Sequence, residues 1–159
     1  MADSRTIHAD EYAALAELRF LIRRFLAFSE AASREAGLEP QQHQLLLVLK
    51  GLRPPMRPTI RTVAERLLIQ HNSAVELVGR SVERGLVKRF PAEHDRREVA
   101  LQITLRGERI LRRLTLAHRA ELRTSAPRLV EALEGMLADR PATPRARRVR
   151  TTSKKRASR

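Results

Sequence analysis

Within this chain the spacing of apolar residues changes once from helical to strand-like. The change follows two short helical stretches joined by a tight connection. Ile60 to Leu67 predicts a short helix with Thr59 as its N-cap, because a Thr hydroxyl can accept from an otherwise orphaned backbone N–H. Leu68 to Gln70 is too short for anything but a turn, and a second helix is expected from His71 to Arg84, ended by Gly85. Leu86 to Phe90 and Val99 to Ile103 then read as two strands. In the second, Val99, Leu101 and Ile103 alternate with Ala100 and Gln102, the period of a strand with one buried face. The polar stretch Pro91 to Glu98 is their turn. Helix, tight turn, helix and hairpin in this order leave few folds open.

The flanks are helical. Leu15, Leu18, Leu21, Ile22, Phe25 and Phe28 recur at three- and four-residue spacing, predicting a helix over about 10–36 with one apolar stripe. Gly37 suits the left-handed position beyond its end. Pro40 suits the first turn of a second helix that runs to about Lys50, and Gly51 with Pro54, Pro55 and Pro58 makes a loop. Thr104 is expected to cap a long helix with Ile110, Leu111, Leu114, His118 and Leu122 on one side, and Pro127 to start a separate last helix. The expected fold is therefore mainly α with a small β-hairpin: a winged helix-turn-helix plus N- and C-terminal helices. Residues 1–139 form one domain, with the central unit at about 40–105 and flanking helices at about 10–36 and 105–138.

Charge separates the remainder. The formal net charge is +14, from 32 Lys/Arg against 18 Asp/Glu. Nine of those bases and no acid lie between Arg140 and Arg159, so the rest carries 32 − 9 = 23 bases against 18 acids. A tail of this composition buries too little to offset its ordering entropy, and 140–159 is expected to be a disordered basic tail. Such a surplus selects polyanions as partners. The absence of Cys excludes disulfides, thiolate metal sites and thiol redox sensing. No apolar run approaches the roughly 20 residues of a membrane span, and Met1 to Asp10 lacks a signal-peptide pattern. A cytoplasmic, nucleoid-associated protein with no membrane partner is the expectation.

The candidate functional residues follow from the helix-turn-helix. Its second helix can enter a duplex major groove tip first. That tip presents Gln70, His71, Asn72, Ser73 and Glu76, side chains that can hydrogen-bond base edges. Ala74, Val75, Leu77, Val78 and Val82 are left to pack inward, and Arg80 and Arg84 lie where phosphates could reach them. Arg96 and Arg97 in the hairpin turn can approach a narrow minor groove, with Asp95 as an orienting partner.

These residues resemble the MarR (multiple antibiotic resistance regulator) family of winged helix regulators. The resemblance is carried by Thr59-Ile60 with Val63-Ala64-Glu65-Arg66-Leu67, by Ser73-Ala74-Val75, Leu77-Val78 and Arg80, and by Gly85-Leu86-Val87. Its most specific part is Asp95-Arg96-Arg97-Glu98-Val99 with Leu101-Gln102-Ile103-Thr104 and Gly107. It spans about Leu15 to Leu137. It implies that Arg97 enters the minor groove with Asp95 orienting it, and that the terminal helices form a homodimer. It further implies repression of transcription on double-stranded DNA, relieved by a small anionic or phenolic effector. Two positions depart from the pattern: Gly79 stands where similar sequences often carry Asp, and Thr62 stands where Glu would complete a capping box with Thr59.

Plainer readings stand beside these. Asn72 and Ser73 can serve only as helix caps, and Arg96 as a phosphate contact or a solvated charge. His94 beside Asp95 lacks a nucleophile, and Glu131 with Glu134 reads as a solvated helix face. His8, His43 and His118 are scattered singly, whereas zinc needs three or four convergent ligands, so neither a metal nor any other cofactor is expected. His43 and His118 are candidates for lining an effector pocket. With no Gly-rich phosphate loop and no nucleophile–base pair, an enzyme is not expected. The competing function is an architectural or non-specific nucleic-acid-binding protein that uses its basic tail.

Overall fold

The computed structural model describes residues 7, 9–91 and 99–137. Its elements are α1 (Ala9–Glu35), α2 (Pro40–Gly51), α3 (Ile60–Leu67), α4 (His71–Glu83), β1 (Val87–Pro91), β2 (Val99–Ile103) and α5 (Leu105–Leu137). The fold is the winged helix-turn-helix expected from the sequence: a mainly helical chain with one two-stranded antiparallel hairpin.

The punctuation is local chemistry. Gly37 takes φ +76° and closes α1, with its N–H donating to the Arg34 carbonyl at 2.9 Å. Pro40 opens α2, and the Gln42 side chain accepts from the Glu39 N–H at 3.2 Å. Thr59 caps α3, accepting from the Thr62 N–H at 3.2 Å, and the Thr62 hydroxyl sits 3.1 Å from that of Thr59. Thr62 thus occupies the cap from within, which accounts for a workable cap without Glu. Thr104 joins three elements: its hydroxyl donates to the Gly85 carbonyl at 2.7 Å and accepts from the Gly107 N–H at 3.1 Å.

The core lies beneath the helix-turn-helix. Leu45, Leu46, Val63, Leu77, Val78, Leu86, Val87 and Leu101 are buried there and bring α2, α3, α4 and the hairpin onto one apolar centre. Each buried side chain of this size contributes about 1.5–3 kcal/mol. In the hairpin Val87 pairs with Ile103 and Pro91 with Val99. The Leu101 N–H also donates to the Pro58 carbonyl at 2.7 Å, which ties the segment entering α3 to the wing.

Four expectations need correction. Pro127 does not start a separate helix; α5 runs unbroken from Leu105 to Leu137 with Pro127 inside it. Proline cannot donate to the carbonyl four residues earlier. Here Pro127 and Arg123 are both exposed, so water can take the lost partner's place, while α5 stays docked along α1 beyond the proline. Arg128 pairs with Glu17 at 2.9 Å, and Gly135 abuts Ala14. The α1 apolar residues do not form one stripe: Leu18, Leu21, Phe25 and Phe28 turn inward, whereas Leu15 and Ile22 are exposed. Val75 does not pack into the core; it lies on the outer face of α4, 38% exposed. The strand β1 also begins one residue later than expected, at Val87.

Candidate nucleic-acid interface

The two helices of the helix-turn-helix are set by a three-residue connection. Leu68 takes the left-handed conformation at φ +55°, ψ +41°, and its N–H donates to the Glu65 carbonyl at 3.3 Å. The Ile69 N–H donates to the Ala64 carbonyl at 3.0 Å. These bonds satisfy the last carbonyls of α3 and reverse the chain in the space of one turn. Gln70, in extended conformation, then opens α4.

On α4 the side chains separate cleanly. Ala74, Leu77, Val78 and Ser81 are buried, and the Ser81 hydroxyl donates to the Leu77 carbonyl at 2.7 Å. Gln70, His71, Asn72, Ser73 and Glu76 are all exposed. Asn72, Glu76, Gly79 and Glu83 follow three- and four-residue steps, so they share the outer face. The Gln70 side chain makes no cap bond. Gln70 therefore keeps its donors and acceptors at the surface.

The two arginines of α4 have structural partners. Arg80 is half-buried, with its Nε 3.4 Å from a Glu39 carboxylate oxygen. Arg84 donates to Gln42 Oε1 at 2.9 Å and to the Gly37 carbonyl, clamping the end of α4 to the α1–α2 turn. This clamp occupies the donors that a phosphate contact would need. Gly79 faces the hairpin: a Cβ there would meet Arg89 Nη2 at 3.9 Å, an ordinary contact. The exposed Arg89 of β1 thus lies over the outer face of α4. Sequence reasoning passed Lys88 and Arg89 over as strand residues. Their adjacency to Gly79 depends on how the hairpin folds back, which no local pattern records. His94, Asp95, Arg96 and Arg97 lie outside the described residues.

His43 and His118, distant in sequence, are brought together where α1, α2 and α5 meet. Their ring centroids are 4.8 Å apart, and Phe25 and Phe28 pack edge-on against His118 at 5.8 and 5.4 Å. His118 Nδ1 lies 2.6 Å from the Leu114 carbonyl, which can only accept, so that nitrogen carries the proton. Its Nε2 then accepts from the Ser29 hydroxyl at 2.8 Å. His43 is only 1% exposed, and its Nδ1 is buried without a hydrogen-bond partner. Burial, and secondarily the neighbouring His118, push its pKa down to about 4 from 6.5. Among the described residues no group of three or more His, Cys, Asp or Glu could hold a metal ion, and no helix is long and apolar enough to cross a membrane.

Comparison with known proteins agrees with this architecture. Residues 36–98, from the end of α1 into the wing, match the family described as the MarR family. Over that segment the chain is similar to the MarR family. Solved MarR-type structures share the fold around that segment. AbsC, a MarR family transcriptional regulator from Streptomyces coelicolor, superposes with a TM-score of 0.64 at 20% identity, over 77% of this chain and 82% of that one. A mutant of MepR from Staphylococcus aureus bound to an oligodeoxyribonucleotide gives 0.59 at 16% identity, over 79% and 95%. CouR from Rhodococcus jostii bound to p-coumaroyl-CoA gives 0.58 at 20% identity, over 79% and 92%. At these identities the likeness is one of fold. No curated protein matches the chain.

Proposed function

We propose that the chain is a sequence-specific DNA-binding transcriptional regulator, a ligand-responsive repressor that acts as a homodimer on a pseudo-palindromic operator. The observation that carries the reading is α4. Its inner face is locked into the core by Ala74, Leu77 and Val78, while Gln70, His71, Asn72, Ser73 and Glu76 stand exposed at its leading end. A rigid helix with a polar tip is what direct readout of a major groove requires. In this reading Arg80 and Arg96 contact phosphates, and Arg97, oriented by Asp95, reaches the minor groove. The MepR mutant bound to an oligodeoxyribonucleotide supports the same use of the fold.

Homodimerisation is supported by apolar residues left uncovered on the outer helices. On α1 these are Tyr12, Leu15, Ile22 and Leu26; on α5 they are Val130, Leu133 and Leu137. Each set follows three- and four-residue spacing, the period of a helix–helix seam. A two-fold axis through them would set two α4 tips about 34 Å apart, one turn of duplex. Response to an anionic or phenolic ligand is supported by the His43–His118 pair at the junction of α1, α2 and α5, and by the p-coumaroyl-CoA bound to CouR.

The test is a gel-shift titration against the DNA flanking the coding region, with random duplex as the reference. Specific binding should weaken by about 1–3 kcal/mol in Asn72→Ala and in Arg97→Ala. With about eight phosphates neutralised, log K should fall against log salt with a slope near −7. The tail supports a second reading, because nine of its twenty residues from Arg140 to Arg159 are basic. If deleting those residues abolishes all binding, and the two alanine variants change nothing, the protein is a non-specific nucleic-acid binder and the regulator reading is wrong.

A further inference from the structure

The contacts named so far leave one exposed cation beside α4 without a task. Arg89, at the middle of β1, has its Nη2 3.9 Å from the point where a Cβ of Gly79 would stand. Asn72, Glu76, Gly79 and Glu83 share the outer face of α4, and only Gly79 brings no side chain to it. The guanidinium comes down against the helix at that gap. Glu76 and Glu83 flank it and are exposed, yet Arg89 has no hydrogen-bond or ion-pair partner among the described residues. The other cations of these two elements are placed differently. Arg80 lies 3.4 Å from Glu39, and Arg84 is bonded to Gln42 and the Gly37 carbonyl. Lys88 alternates to the opposite face of the hairpin.

The strand beneath Arg89 is fixed. Val87, two residues earlier, and Leu101, its partner across the hairpin, point to the same face and are each 2% exposed. Their burial holds the backbone, and the Thr104 hydroxyl ties the far end of β2 to the Gly85 carbonyl. Arg89 therefore carries a free guanidinium on a rigid mount.

We propose that Arg89 is a phosphate clamp, gripping the sugar–phosphate strand between the groove that α4 enters and the groove that the hairpin turn reaches. The inference rests on the DNA-binding reading above. One backbone strand separates a major groove from the adjacent minor groove. β1 leads from the end of α4 toward the turn, so a cation midway along it stands over that strand. Gly79 is seven residues beyond Asn72, about 10 Å along the helix axis. Arg89 thus sits away from the tip, where base edges are met, and nearer the backbone. Its planar fork matches two phosphate oxygens. Such a contact sets register and orientation and carries no sequence information. It also offsets the negative charge that Glu76 and Glu83 bring to the face approaching the phosphates.

The experiment is a fluorescence-anisotropy titration of the full chain against two labelled duplexes over a series of salt concentrations. One duplex is the DNA flanking the coding region and the other is random in sequence. Arg89→Ala should weaken both by the same factor, about tenfold at low salt, as for loss of a charged hydrogen bond. The slope of log K against log salt should shrink by about 1 for each Arg89 removed. Arg89→Lys, which keeps the charge and loses the fork, should keep the slope and bind between the two. Arg123→Ala, an equal loss of exposed charge on the distal half of α5, should change neither affinity nor slope. The melting temperature of Arg89→Ala should match the wild type, because the side chain has no partner to lose. Unchanged affinity and slope in Arg89→Ala would overturn the proposal, and the regulator reading would stand if Asn72→Ala still lost specific binding. A loss confined to the flanking duplex would overturn it by assigning Arg89 to a base edge. A lowered melting temperature with an unchanged slope would overturn it by making Arg89 a structural residue. If the wild type binds neither duplex, the regulator reading fails and the clamp falls with it.

Discussion

Acid should loosen the junction of α1, α2 and α5 through His43. Folded, this ring is 1% exposed, and burial followed by the adjacent His118 pushes its pKa down to about 4. Unfolded, it titrates near the ordinary 6.5. Between these values the unfolded chain binds a proton that the folded chain refuses, so stability rises with pH across the window. Above 6.5 the ring is neutral in both states and the proton-linked cost vanishes. The cost grows as the pH falls through 6.5 and levels off below 4. A difference of 6.5 − 4 = 2.5 units at about 1.4 kcal/mol each sets a ceiling of about 3.5 kcal/mol. Between pH 7 and pH 4.5 the linkage relation leaves about 2.5 kcal/mol.

The measurement is urea unfolding followed by circular dichroism at pH 7, 6, 5 and 4.5, at one fixed protein concentration, for the wild type and His43→Leu. Leucine keeps much of the volume and removes the titration. Groups remote from His43 titrate in both proteins and cancel in the difference. The wild type should lose about 2.5 kcal/mol relative to the variant between the two ends of the series. The variant should also be spared the unpartnered buried Nδ1, so it need not start lower at pH 7. Parallel pH profiles for the two proteins would refute the reasoning, because they would mean that His43 takes its proton as readily folded as unfolded.

Other substitutions test the backbone. Gly79→Ala should raise stability by about 1 kcal/mol in thermal melts, because the site is mid-helix and the nearest atom to a new Cβ is Arg89 Nη2 at 3.9 Å. Gly107→Ala should cost about 3 kcal/mol and lower the urea midpoint, since its Cβ would collide with the Leu86 carbonyl and lie 2.8 Å from Ile103 Cγ2. Leu68→Gly should stabilise the chain by about 1 kcal/mol, because a side chain at φ +55° that is 92% exposed loses little packing and is relieved of left-handed strain. A fall in melting temperature for Leu68→Gly would show that the leucine is held by contacts that outweigh its left-handed strain. Thr59→Ala should cost about 1 kcal/mol through the lost cap of α3, read from the same melts.

How much was legible in advance varied with the range of the interaction. α3, α4 and β2 could be bounded from the sequence because their signals are short-range: Thr59 caps within three residues, and alternation from Val99 to Ile103 needs no distant partner. The polar tip from Gln70 to Glu76 was legible for the same reason, since a helix period assigns its faces. Pro127 misled, because a local breaking signal was overridden by a long helix–helix contact that continues past it through Arg128 and Gly135. Val75 misled because one residue of an apolar run sits just beyond the edge of the buried sector. Arg84 read as a free cation, yet its donors are taken by Gln42 and by the Gly37 carbonyl, whose positions depend on how α1 and α2 turn.

Residue order alone therefore determined where α3, α4 and β2 begin, which side of α4 is polar, and that the basic surplus gathers from Arg140 onward. Those properties follow from hydrogen bonds and periodicities that close within a few residues. Only the tertiary structure decided that His43 and His118 share one junction and that Arg89 covers Gly79. Such adjacencies arise when the apolar stripes of separate elements are buried together, and the identity of the residues brought into contact depends on the packing of the whole chain.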